Sequence, residues 1–155
     1  MEEFQKAPYT GKKGAEIAIW NENRSELKSS LTLCDWSFPI AKKPEAECRL
    51  FSAVTGIETN ERELDKIGER IKNMQRSLLV RNYDRTREKE INEIMPWFTR
   101  PDATKGIAVD EDKFNGLADT YYELRGWDKN TGRPTRIKLE ELGLKDVADE
   151  LELKG

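Results

Sequence analysis

The stretch Asn60–Leu78, NERELDKIGERIKNMQRSL, decides the fold class. Leu64, Ile67, Ile71, Met74 and Leu78 recur at intervals of three and four, the period of one helix face. Asn60 and Glu63 have capping-box spacing, with Asn in the place more often held by Ser or Thr. Together these signals predict an amphipathic helix of roughly five turns. Gly68 interrupts it. A glycine costs about 1 kcal/mol against alanine in an exposed helix interior, so its presence here points to close approach by another helix.

Working outward, Gly14 opens a predicted helix in which Ile17, Trp20, Leu27 and Leu31 share a face, with Arg24 in the same row. Residues 1–13 read as an extended or disordered lead, broken by Pro8 and Gly11. Ser30–Ile40, SLTLCDWSFPI, is short, apolar and poor in charge; it is either a buried connector or a site loop. Pro44 suits the first turn of a second helix that buries Cys48, Phe51 and Val54 and stops at Gly56. Residues 82–106 read as a long ordered loop with a short helix around Ile91. Trp97 and Phe98 pin it, and Pro96, Pro101 and Gly106 break it. Asp110 caps a further helix with Phe114, Leu117, Tyr121 and Leu124 as its stripe and Gly126 as its stop. Asp128–Pro134, DKNTGRP, is a turn. Thr135 caps a short helix ended by Gly143, and a last short helix carries Val147, Ala148 and Leu151. No strand pattern and no repeat appears. The fold class is all-α and multihelical, about five helices plus one long ordered loop, with residues 14–155 as a single domain.

Composition limits the function classes. The 155 residues are 37% charged and 36% hydrophobic, and the mean hydropathy is −0.83. Trp20, Trp36, Trp97 and Trp127 sit inside periodic apolar patterns, which argues against disorder and for a thin domain that leans on a partner or on the rest of a larger chain. The 27 basic and 30 acidic residues are intermixed, so no basic stripe points to nucleic acid. No apolar run approaches the roughly 20 residues of a membrane span. The first thirteen residues lack the apolar core of a secretory signal, and a cytoplasmic location is the expectation. The absence of histidine removes Ser-His and Cys-His nucleophilic pairs and histidine zinc sites. Cys34 and Cys48 form no Cys-x-x-Cys pair.

Two stretches are more specific than periodicity. Tyr121–Thr135, YYELRGWDKNTGRPT, followed by LEELGL at Leu139–Leu144, resembles the closing motif YYxxRGWDxxGxPT…LxxLGL of the tungsten-containing aldehyde ferredoxin oxidoreductase family, with a slightly longer turn before Gly132. Ser30–Trp36, SLTLCDW, resembles the family segment that supplies the last cysteine ligand of a 4Fe–4S cluster. Gly68–Asn82, GERIKNMQRSLLVRN, is similar to the family's long helix. The resemblance runs from about Gly11 to the C-terminus. Family members are larger enzymes that oxidise aldehydes to acids, or reduce other substrates in related branches. Two pterins hold tungsten, or molybdenum, and the neighbouring cluster passes electrons to ferredoxin.

The resemblance implies that this chain is the C-terminal helical domain of such an oxidoreductase, inactive and without cofactor by itself. Its implied partners are an N-terminal pterin-binding domain or subunit that carries the other three cluster cysteines, and a ferredoxin-type electron acceptor. Cys34 maps onto the fourth cluster ligand. Without the resemblance, a Cys beside Leu33 and Trp36 reads as a small buried hydrophobe. The family wording at this point is DxxGLC, whose Asp and Leu sit against a pterin. Here Leu33 is kept, while Ser29 stands for the Asp and Thr32 for the Gly. Ser29 can still hydrogen-bond a pterin but carries no charge. SLTLCDW is more similar to the tungsten subunits of aromatic-ring reductases than to the simple aldehyde oxidases.

Other residues have plainer readings. Cys48 is structural. Tyr121 and Tyr122 divide between core and hydrogen-bonding roles, with no catalytic group expected. Arg125 and Asp128 read as a structural ion pair. Glu61, Glu63, Asp65 and Glu69 lie on a solvated helix face. The rival to the oxidoreductase reading is a non-catalytic helical interaction module that kept the fold and lost the chemistry. A neighbouring reading frame with a Cys-x-x-Cys-x-x-x-Cys group would favour the enzyme.

Overall fold

The computed structural model describes residues 11–34, 44–101 and 108–152. The first ten residues of the expected lead, with Trp36, Pro39 and Gly106, lie outside the described residues. Among the described residues seven helices follow one another: α1 Gly11–Ser30, α2 Pro44–Thr55, α3 Glu61–Tyr83, α4 Arg87–Phe98, α5 Glu111–Arg125, α6 Arg136–Glu141 and α7 Lys145–Glu152. The described residues contain no strand, only an isolated bridge between Trp127 and Pro134. The all-α expectation holds, and the described residues alone carry seven helices where about five are expected.

Local chemistry sets most of the boundaries. At α3 both halves of the capping box form: Glu63 N donates to Asn60 Oδ1 and Asn60 N donates to Glu63 Oε2, each at 3.1 Å. Asp110 accepts from Lys113 N at 2.9 Å to open α5. Gly126, left-handed at φ +69°, closes it. Thr135 Oγ1 accepts from Lys138 N and donates to Gly126 O, so one hydroxyl starts α6 and ties it to the end of α5. In the turn between them Asp128 Oδ1 takes the backbone N–H groups of Asn130 and Thr131. Asp128 is thus an Asx-turn residue and not the partner of Arg125, because the side chain finds local donors first.

Two boundaries differ from expectation. α1 begins at Gly11, not Gly14; the lysines there are good helix formers, and Lys12 pairs with Glu16 one turn on at 3.8 Å. Residues 87–98 form α4, a three-turn helix where a short one around Ile91 is expected inside a long loop. Thr86 caps it by accepting from Lys89 N, and Glu88 and Glu90 suit its first turn. Pro96 falls in the last turn, where it removes only one intrahelical bond. Phe98 packs on Phe114 with ring centroids 6.1 Å apart, so the pinning role holds for it. Trp97 is 69% exposed, with Arg100 over its ring.

α1 is the central element, packed against α3 on one side and α5 on the other. Gly68 of α3 lies against α1 so closely that a Cβ there would sit 2.2 Å from the carbonyl oxygen of Asn23. The glycine is therefore the crossing point. α2 packs on α3, and α6 and α7 pack together and against α3. Leu139, Leu142, Leu144 and Ala148 form a small apolar cluster there, joined by Met74, Val147 and Leu151.

The rest of the interior is unusually polar. Asn23, Arg24, Lys28, Glu47, Asn73, Arg76, Ser77 and Arg125 are all buried. This rotates several helices away from their expected faces. On α3, Leu64 is buried but Ile67 and Leu78 are exposed, while Gly68, Asn73, Arg76 and Ser77 face inward. On α2 the buried side chain is Glu47; Cys48 and Phe51 are half-buried and Val54 is 77% exposed. On α5 Tyr122 and Arg125 are buried and Leu124 is exposed. In each case an ion pair, not an apolar row, sets the inward face.

The crossing predicts opposite effects at two helical glycines. Gly68→Ala forces a methyl into the Asn23 backbone and should lower stability by about 2–3 kcal/mol. At Gly116 of α5 a Cβ meets nothing within 4 Å, so Gly116→Ala should raise stability by about 1 kcal/mol. Thermal melts followed by far-ultraviolet circular dichroism separate the two; shifts of the same sign would contradict this packing.

Candidate functional site

The end of α1 holds the three residues singled out for cofactor contact. Thr32 N donates to Ser29 O at 3.3 Å and Leu33 N donates to Lys28 O at 3.0 Å. Thr32 is left-handed, at φ +57°. This is a Schellman cap, in which the last turn is closed by a residue that glycine fills best. The cap turns the chain back on itself, so Ser29, Leu33 and Cys34 belong to one short motif. Ser29 and Cys34 are exposed, and Leu33 is half-buried. The segment was a candidate buried connector; its described part is at the surface. Lys28, in the last turn and buried, places a cation beside the negative end of the helix dipole.

The family wording at position 32 acquires a physical reason here. A left-handed cap residue with a β-branched side chain is strained by roughly 1–2 kcal/mol relative to glycine. Thr32 Oγ1 donates to Leu31 O at 2.7 Å, an exposed bond of small value. The backbone is thus left-handed at this position although glycine is absent.

The second cysteine is different. Cys48 is half-buried, and its thiol pKa is raised by burial, a shift that the nearby Arg24 only partly offsets. A protonated thiol is a poor ligand and nucleophile, which fits the structural reading. Among the described residues no three His, Cys, Asp or Glu side chains converge on a metal-sized site. The acidic residues of α3 each have a local task. Glu61 accepts from Arg24 at 2.8 Å, Glu63 completes the capping box, and Glu69 accepts from Lys138 at 3.2 Å. Asp65 is half-buried rather than solvated, and desolvation raises its pKa against the pull of Arg24.

Three buried arginines tie the helices of the domain together. Arg24 bonds Glu47 of α2 and Glu61 of α3, each at 2.8 Å. Arg125 of α5 bonds Glu22 and Asn23 of α1, each at 2.6 Å. Arg76 of α3 pairs with Glu90 of α4 and donates through Nε to Gly132 O at 2.8 Å. Trp127 donates its indole N–H to Asn73 at 2.8 Å, under the Arg76 guanidinium. The RGWD motif is therefore a structural clamp, with Arg125 on α1, Gly126 and Asp128 making the turn, and Trp127 on α3.

Comparison with known proteins now has a geometry to stand on. The family model for aldehyde ferredoxin oxidoreductase, domains 2 & 3, matches residues 1–144. The chain belongs to the aldehyde ferredoxin oxidoreductase family. Among solved structures, it is similar to the active site complex BamBC of benzoyl coenzyme A reductase in complex with 1,5-dienoyl-CoA. The identity is 24% and the TM-score 0.72, over 91% of this chain and 20% of that one. The fold is shared, and this chain spans about a fifth of the length of that relative. Among the described residues no helix is long and apolar enough to cross a membrane.

Two outcomes follow for this domain. Thr32→Gly should stabilise the chain by roughly 1 kcal/mol in urea unfolding, because it relieves the left-handed strain; a loss of similar size would mean that the cap is not left-handed. Glu90 supplies the second. Burial opposes its ionisation, but hydrogen bonds from Arg76, Arg85 and Tyr122 and the Arg76 charge outweigh that, and its pKa lies below the ordinary 4.5. A lowered carboxylate pKa stabilises the fold above 4.5 and stops doing so as pH falls through the folded value. The stability gap between wild type and Glu90→Gln should therefore be constant near neutrality and shrink in acid. A gap that stays constant throughout an acid series would count against the pairing.

Proposed function

We propose that this chain is the part of a tungstopterin iron–sulfur oxidoreductase that supplies one thiolate, Cys34, to a 4Fe–4S cluster, and that Ser29 and Leu33 form part of the wall facing the pterin. The observation that carries the reading is an exposed cysteine directly after a helix cap whose shape suits the glycine of DxxGLC, in a chain of this family. When bound, the tungstopterin and cluster would supply two-electron chemistry at the metal and one-electron transfer away from it.

The residues fit such a group. A ligand contributed to a cluster held mainly by another segment has to be accessible from outside its own domain, and Cys34 is exposed. The Schellman bonds fix the backbone on its N-terminal side, so little conformational freedom remains to be lost when the thiolate is held. Ser29 offers a hydroxyl that can donate to or accept from a pterin edge. Leu33 gives an apolar contact next to the ligand, and apolar surroundings tune the potential of a cluster. The other three thiolates and the pterin-binding part belong, on this reading, to an N-terminal domain or subunit, and the electrons pass to a ferredoxin-type acceptor. The oxidised or reduced group is an aldehyde or oxo function.

The test is metal and sulfide content in the complete protein, produced with the polypeptide that carries the remaining ligands. Cys34→Ser should lose cluster iron and acid-labile sulfide, while Cys48→Ser should retain both. Unchanged content in the Cys34 variant would remove the ligand assignment; equal loss in both variants would make the effect one of folding.

A further inference from the structure

At the other end of α1 the domain contains a space that the family reading does not use. A cavity of about 430 Å³ opens between α1, α3, α4 and α5. Small residues create it: Gly14, Ala15 and Ala18 on α1 and Ala118 on α5 leave a gap that larger side chains would fill. Flat and branched groups line the rest, chiefly Tyr121, Tyr122, Trp127, Phe114 and Ile94. From Glu22, the last α1 residue in its wall, to Ser30 the helix rises about 12 Å, so this space is separate from the Cys34 end.

Protein interiors are close-packed, with few voids larger than a water molecule. An apolar cavity of about 150 Å³ already holds a benzene, and ligand pockets begin at roughly 300 Å³. This cavity has room for two fused rings. Its three central aromatics are packed against one another at centroid distances of 5.8 Å, which makes a rigid wall of ring faces and edges. Such walls favour stacked or edge-on partners.

The charges in the lining decide what kind of ring fits. Glu22, Glu90, Lys72 and Arg76 all contribute. They compensate one another: Lys72 lies 3.5 Å from Glu22, and Arg76 pairs with Glu90. The tyrosine hydroxyls are also engaged, Tyr121 donating to Glu22 and Tyr122 to Glu90 at 3.2 Å. An anion or cation entering this space would lose part of its hydration and find each opposite charge already in an ion pair, although the buried Arg76 Nη2 has no hydrogen-bond partner of its own. A neutral ring loses little.

We infer that this cavity is a binding site for a neutral, planar aromatic molecule of one or two rings, apart from the metal-facing end of the domain. The cavity is formed by this chain's own helices, so the 155-residue chain is the protein to test. Indole serves as the probe, with benzoate as its charged counterpart. Indole should raise the melting midpoint in a concentration-dependent way and give saturation-transfer signals in ligand-observed NMR. Benzoate should bind about ten-fold more weakly or worse. Ala118→Phe fills the cavity and should weaken indole binding by about ten-fold or more while keeping the helical circular dichroism. Ala18→Phe, at an exposed lining position, is the second filling variant and decides the matter where the first does not fold. The inference fails on any of three results: no effect of indole on wild type, equal indole binding in the folded Phe variants, or benzoate binding as tightly as indole.

Discussion

Arg125 is the group on which the helix packing turns. Its side chain is fully buried, and an arginine cannot shed its charge to suit an apolar site. Every polar hydrogen it carries therefore needs an acceptor, and α1 supplies most of them: Glu22, Asn23 and the carbonyl of Ile19, with the Tyr121 hydroxyl from its own helix. This fixes the rotation of α1 about its axis relative to α5. Asn23 is also the residue whose backbone meets Gly68, so the same register sets where α3 crosses. One residue further along α1, Arg24 collects α2 and the start of α3. Removing one partner of a buried pair typically costs 3–5 kcal/mol, far more than the pair adds over an apolar replacement. In this domain, where apolar clusters are small, such pairs specify the arrangement.

That constraint explains which parts of the fold were legible in the sequence. Signals read over four or five residues were sound. The Asn60–Glu63 box, the Asp110 and Thr135 caps, and the Gly126 and Gly143 stops depend on backbone groups within reach of their own side chains. Faces were less legible. A periodic row through Ile67 and Leu78 predicts burial only if the neighbouring helix presents apolar surface, and α1 presents Asn23, Arg24 and Glu22 instead; Met74 of the same row finds its apolar partners in the α6–α7 cluster. The inward side of α3 is accordingly its Gly68–Asn73–Arg76–Ser77 side. α4 is longer than the short helix expected around Ile91, because Pro96 and a polar composition suggest a loop, although a proline so near a helix end removes only one bond. The cavity leaves no trace in any local pattern, since its small residues stand on α1 and α5 and its rings on α5 and the turn after it.

The end of α1 holds a backbone shape without the residue that suits it best. Thr32 holds the left-handed position of the cap, where glycine would be unstrained. The two cap bonds and the helix behind them outweigh that strain, so Leu33 and Cys34 leave the helix in the direction the cap dictates. Cys34 itself was legible only through its resemblance to a family segment. Nothing about a cysteine between Leu33 and Asp35 distinguishes a ligand from a small hydrophobe. Its exposure in the fold is what a buried-hydrophobe reading does not predict, and what a contribution to a neighbouring domain requires.

The same electrostatics separate the residues that hold the domain from those that could act. Tyr121 and Tyr122 are adjacent, aromatic and hydrogen-bonded to carboxylates, an arrangement that could be mistaken for a catalytic pair. Burial raises both pKa values. Glu22 and Glu90 raise them further, and Arg125 and Arg76 pull the other way without cancelling the shift. Both hydroxyls therefore stay protonated and serve as donors to the carboxylates that Arg125 and Arg76 also hold. A general acid or base needs a pKa near the working pH and a free path to a substrate, and these tyrosines have their protons committed to structure. Cys48 is likewise held as a thiol. Of the groups weighed as reactive, Cys34 is the one at the surface, and the chemistry proposed for this domain rests there.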